Sequence, residues 1–147
     1  MPEAHADGPG EQFAIYRIGK TREFTPCRFD AGRATTVIGE AGDPLWFSAL
    51  HDHMLVLTRS TGPDGDLVVY DLDNGRKILD VPANRFETTA TAVTFWERVG
   101  TADAKSCPEF AEHQKNGFGS ALTAEKRLSM SDATVTATGR TACEATQ

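Results

Sequence analysis

The stretch Leu67–Asp80, "LVVYDLDNGRKILD", decides the fold class. Two apolar runs flank Asp73-Asn74-Gly75. In "LVVYDL" the side chains alternate, with Leu67, Val69 and Asp71 on one face and Val68, Tyr70 and Leu72 on the other. Asn74-Gly75 supplies the positive φ angles of a tight hairpin, and "RKILDV" (Arg76–Val81) returns. Upstream, "PLWFSAL" (Pro44–Leu50) and "HMLVLTR" (His53–Arg59) are near-continuous apolar runs, as expected of strands buried on both faces. Asp52 falls at a turn between them. "STGPDGD" (Ser60–Asp66) is a hairpin loop, because Pro63 presets φ for a type I turn and Gly65 relieves its exit. The segment Pro44–Val81 therefore reads as a four-stranded antiparallel meander, similar to one propeller blade.

Working outward, "FAIYRI" (Phe13–Ile18), "REFTPCRF" (Arg22–Phe29) and "TTVI" (Thr35–Ile38) read as short strands, the second restricted to an edge by Pro26. "PANRFETTAT" (Pro82–Thr91) is polar and reads as a longer connection, and "AVTFWERV" (Ala92–Val99) as a strand. "SCPEFAEHQKNGFG" (Ser106–Gly119) is the one helix expected, with Ser106 and Glu109 as a capping box, Pro108 in the first turn and Gly117 at its end. A last hairpin is centred on Ser131-Asp132. About ten short strands with frequent turn signals predict an all-β fold of antiparallel meanders, open or partly closed, with one short helix. A complete propeller needs at least about 4 blades, more than this chain has residues for. The expected organisation is a loose N-terminal segment, residues 1–12, followed by one β domain over residues 13–147.

A chain of 147 residues is long enough to bury a sizeable core without metal. With 39% hydrophobic and 24% charged residues it reads as globular rather than disordered. Its net charge of -6 disfavours nucleic acid and anionic membrane as partners, because both reward clustered Lys and Arg. No apolar run approaches the roughly 18–20 residues of a membrane span. Ala4-His5-Ala6 fits the small-x-small pattern of a signal-peptidase site, which suggests an exported chain whose signal has been removed. In an exported protein Cys107 and Cys143 are expected to pair and Cys27 to stay single, whereas a cytosolic protein would keep three reduced thiols.

Motifs that could carry chemistry each meet a simpler reading. "DLDNG" invites calcium, but counting from Asp71 puts Gly75 at position five, Arg76 at six and Pro82 at twelve of an EF-hand loop, so a hairpin turn fits better. His51-Asp52-His53 offers two imidazoles, yet zinc needs a third ligand and the tripeptide reads as a polar turn. Cys27 with His51 or His113 would need an activating environment, and "TPCRF" supplies none. Trp46, Phe47, Phe95 and Trp96 could stack on sugars, but they sit in the most apolar strands, so core packing is expected. No nucleophile elbow or phosphate loop occurs in the sequence. The expectation is a protein without catalytic residues, metal or cofactor, whose recognition is carried by loops at one end of a sheet. Ser60–Asp66 is the first candidate and Asn84–Thr89 the second.

The meander Pro44–Val81, the strand "VTFWE" (Val93–Glu97) and the late pair Cys107-Pro108 and Cys143 together resemble the periplasmic immunity proteins of type VI secretion systems, of the kind that neutralise a peptidoglycan amidase effector. The resemblance implies a periplasmic, non-enzymatic inhibitor that pushes a serine-bearing polar loop into the effector's Cys-His cleft. Ser60 in "RSTGPDGD" is the nearest counterpart, although the sequence has no adjacent serine pair. On this reading Ser60 or Thr61 donates a hydrogen bond into the cleft, Gly65 shapes the loop, and Asp64 and Asp66 meet basic groups at its rim. The alternative is a periplasmic binding module for a sugar or peptidoglycan fragment.

Overall fold

The computed structural model describes residues 9–19 and 28–147. Among them the fold is all-β and antiparallel, with ten strands and one short helix. The strands β1 (Phe13–Ile15) and β2 (Thr36–Ile38) form a small two-stranded ribbon. The strands β3 (Leu45–His51), β4 (Met54–Arg59), β5 (Asp66–Asp71) and β6 (Arg76–Pro82) form the expected meander, in the order β3-β4-β5-β6. A second four-stranded meander contains β7 (Phe86–Thr88), β8 (Ala92–Thr101), β9 (Gly119–Ser129) and β10 (Val135–Thr146), in the order β10-β9-β8-β7. The helix α1 (Phe110–Lys115) lies between β8 and β9 in sequence. None of the sheets closes on itself. No helix among the described residues is long and apolar enough to cross a membrane.

The first meander is the middle layer of three. On one face Met54, Val56, Leu67, Val69 and Leu79 pack against Val93, Phe95 and Leu128 of the second meander. On the other, Leu45, Leu55, Leu57 and Val68 pack against Ile38, Phe13 and Ile15 of the ribbon. This double coverage explains the unbroken apolar runs: β4 and β5 bury successive residues on both faces instead of every second one. Each Leu or Val so buried stabilises the fold by roughly 1.5–3 kcal/mol relative to exposure. Gly75 closes the β5–β6 turn with φ +69°, and Asp71 supports it by accepting from the Asp73 backbone at 2.9 Å and the Asn74 amide at 2.9 Å.

Four expectations are corrected or fall outside view. Pro82–Thr91 is not only a connection: Phe86–Thr88 forms β7, paired with Val93–Phe95. The capping box at Ser106 does not form. Asp103 accepts hydrogen bonds from the Ser106 hydroxyl and the Lys105 and Ser106 backbone, making a turn, and the helix begins later with no side-chain cap. Trp46 and Phe47 do not lie in the core but are 40% and 56% exposed, because β3 is an edge strand that the neighbouring layers cover only in part. Of "REFTPCRF", residues 20–27, Cys27 included, lie outside the described residues, and Arg28 and Phe29 are not in a strand.

Cys107 and Cys143 are joined as expected, with an S–S distance of 1.99 Å across 36 positions. The bridge ties the turn before α1 to the last strand. Beside the bridge, His113 of α1 reaches the Ser120 hydroxyl at 2.7 Å and fixes the helix to β9.

Candidate functional site

The β4–β5 loop is held in shape by its own chain. The Gly62 backbone donates to the Ser60 hydroxyl at 3.1 Å, and that hydroxyl turns back onto the Gly62 carbonyl. Asn84, from the segment between β6 and β7, accepts from the Gly65 backbone at 2.6 Å and donates to the Pro63 carbonyl and the Asp64 carboxylate, each at 3.2 Å. Arg98 of β8 donates to the Gly65 carbonyl at 2.6 Å, and the Gln147 backbone donates to Asp64 at 3.0 Å. A side chain at position 65 would place its Cβ 2.9 Å from the Arg59 carbonyl, so glycine is required there. Ser60–Asp66 and Asn84–Thr89 read in the sequence as two separate candidate loops. The structure joins them through Asn84, a long-range contact with no local signal.

This bracing divides the expected recognition residues. Thr61, Gly62 and Pro63 form the exposed tip, whereas Ser60, Asp64, Gly65 and Asp66 are half-buried with internal partners. Asp66 is the first residue of β5 and belongs to a charge cluster on Arg59. The Arg59 guanidinium reaches Asp43 at 2.7 Å, Asp66 at 3.3 Å and Asp80 at 2.7 Å, and Lys77 also reaches Asp80 at 2.6 Å. These carboxylates hold the Arg59 pKa above its ordinary value, Asp80 contributing most. Reciprocally, Arg59 first and Lys77 second hold the Asp80 carboxyl below the usual carboxylate range. The cluster fastens the foot of the loop to β6 and to the entry of β3.

Beside the loop lies an apolar strip that sequence reasoning assigned to the core. Trp46, Phe47 and Leu50 of β3 are exposed, and the Trp46 indole donates to the Ser60 carbonyl at 3.0 Å. Trp46 thus ties the edge strand to the loop, while Phe47 and Leu50, paired with Leu57 and Leu55, are exposed on the sheet's other face. Trp96, by contrast, offers no free stacking face: Arg85 lies 4.0 Å above its ring and Arg140 lies 5.3 Å from it, and Arg140 is in turn held by Glu125 at 2.9 Å. Phe95 is fully buried in the core, as expected. Cys27 lies outside the described residues, so no geometry bears on it.

This arrangement is suited to recognition through an edge strand and a braced loop: aromatic side chains exposed at one edge and a tip with few conformations to lose. No family model matches the chain, and no curated protein or solved structure matches it.

Proposed function

We propose that this chain is an exported, non-enzymatic protein that binds another protein and blocks it, with a peptidoglycan amidase effector of a type VI secretion system as the preferred partner. The observation that carries the reading is the exposed Trp46, whose indole donates to the Ser60 carbonyl beside the exposed tip Thr61–Pro63, with Phe47 and Leu50 exposed on the other face of the same edge strand. Exposed Trp and Phe beside a preorganised polar loop are the ingredients of an interface hot spot, since little side-chain or loop entropy is lost when such groups dock. The Cys107–Cys143 bridge supports an oxidising compartment, and the resemblance in the meander and late cysteines supports the partner class. In this reading Thr61 supplies the polar contact in the cleft. Ser60, Gly65, Asp64 and Asp66 act by holding the loop.

The test is calorimetric titration of the purified chain with periplasmic wall amidases, alongside an assay of their peptidoglycan hydrolysis. A complex that suppresses hydrolysis is expected. Trp46→Ala and Phe47→Ala should each weaken it by about 2 kcal/mol or more, the scale of a hot-spot residue, and replacing Thr61–Pro63 by a short Asn-Gly turn should weaken it further. Tight binding unaffected by all three changes would place the contact elsewhere. A second reading, a module for a sugar or peptidoglycan fragment, is favoured by the exposed Trp46 face. Binding of muropeptides, with no amidase bound, would replace the first reading by the second.

A further inference from the structure

Two motifs that are weak when read separately come together in space. His51-Asp52-His53 lacks a third metal ligand, and Asp71-Leu72-Asp73-Asn74-Gly75 fails the calcium-loop pattern. The meander's register unites them. Met54 pairs with Asp71, and the Leu72 backbone donates to the His53 carbonyl at 2.7 Å, so the β3–β4 and β5–β6 turns emerge side by side. The ligand atoms of His53, Asp71 and Asp73 consequently lie within 4.8 Å of one another.

We propose that His53, Asp71 and Asp73 form a divalent transition-metal site of the zinc class at the paired hairpin turns. One imidazole with two carboxylates is a donor set that suits such ions, and the exposed Asp73 leaves a side open for water to complete the coordination. A tetrahedral zinc holds its ligands at about 2.0–2.2 Å, which brings donor atoms to roughly 3.3–3.5 Å apart. Small rotations of the two turn side chains, His53 and Asp73, and of Asp71 at the end of β5 close the difference. Asp71 has the lone pairs to ligate while keeping its hydrogen bonds to Asp73 and Asn74, since an ionised carboxylate offers about four acceptor sites. Those bonds orient it as an outer shell orients a metal ligand.

The surrounding charge favours a cation. Asp52 lies 3.1 Å from His53, so three carboxylates surround one imidazole. Against them stands Arg17, which donates to the Asp73 carbonyl at 2.6 Å and approaches its carboxylate only at 3.5 Å, leaving that group open to a closer ligand. A second imidazole, His51, leaves the sheet on the same face as Asp71 but lies outside the cluster of ligand atoms. His51 pairs with Met54, which pairs with Asp71, and its Nε2 is buried with no hydrogen-bond partner among the described residues.

Zinc chloride titrated into the full oxidised chain tests the site, with calorimetry for stoichiometry and proton NMR of the histidine rings for location. Saturable binding is expected, with the His53 resonances shifting. His53→Ala and Asp73→Asn should each weaken it about tenfold or more, while His113→Gln leaves it unchanged. Asp73→Asn keeps the size of a solvent-exposed turn residue, so a folding defect does not confuse the result. An absence of zinc binding into the millimolar range would overturn the proposal. So would binding that survives both substitutions, or calcium binding that is as tight as zinc and indifferent to His53.

Discussion

Arg59 shows how much one side chain can organise. It is 23% exposed and faces Asp43, Asp66 and Asp80, three carboxylates that would repel one another without it. Arg59→Met keeps much of the aliphatic packing but removes the charge. It should lower stability by about 2–3 kcal/mol at neutral pH, less than the 3–5 kcal/mol typical of a fully buried pair, because water still reaches these groups. The pH dependence has a definite sign. Asp80 has a folded pKa below its ordinary value, through Arg59 chiefly and Lys77 next, so its contribution is full above the unfolded carboxylate pKa of about 3.9 and is lost as the pH falls through the depressed value. Urea titrations near pH 7 and near pH 3 should show the parent losing more stability on acidification than Arg59→Met. Equal losses would remove Asp80 from the network. At this scale the sequence was legible where a residue acts locally, as Gly75 does in its turn, and illegible where its role depends on a distant partner. Trp46 and Phe47 sit in an apolar run that marks a strand, but the run says nothing about how far the neighbouring layer extends.

At the scale of elements, hairpins were legible and the helix less so. All four strands of Pro44–Val81 are where the apolar runs and turn residues put them, although of Asn74-Gly75 only Gly75 takes the expected positive φ and bulges after Phe47 and Val69 shift the register. The strand β7 was missed because "FET" has one apolar residue and forms by pairing Phe86 with Phe95, a tertiary event. The helix was overextended at its start, since Asp103 outcompetes the expected cap by organising residues 103–107 as a turn. A six-residue helix with no buried residue cannot persist by propensity. Its support comes from the Cys107–Cys143 bridge and from His113 on Ser120. Replacing both cysteines by Ala should cost about 3–4 kcal/mol in the chain-entropy model. Hydrogen exchange should quicken in α1 and in the C-terminal part of β10 before it does in β4 and β5. Uniform acceleration across the chain would mean that the helix is not a separately anchored unit.

The whole molecule is a stack of three β layers, and its stability depends on a middle sheet with no solvent face at its centre. Leu67 and Leu57 are both fully buried but on opposite faces, Leu67 toward the second meander and Leu57 toward the β1–β2 ribbon. A ribbon of three-residue strands is marginal in isolation, so its docking on Leu57 must be part of the cooperative fold if it is to persist. Leu67→Ala and Leu57→Ala should then each cost about 2–5 kcal/mol, the range for a leucine cavity that its surroundings cannot collapse. The two losses should nearly add in the double variant, because the leucines share no core cluster and a sheet separates them. Urea unfolding followed by tryptophan fluorescence and by far-UV circular dichroism checks both points, since coincident transitions mark one cooperative unit. A cost below about 1 kcal/mol for Leu57→Ala alone, against the full cost for Leu67→Ala, would mean that the ribbon face opens in solution. Phe47 and Leu50 share with Leu45 the side of the sheet to which the ribbon docks, the bulge after Phe47 keeping Leu50 on it. Opening there would extend the exposed apolar surface of β3 across the middle sheet.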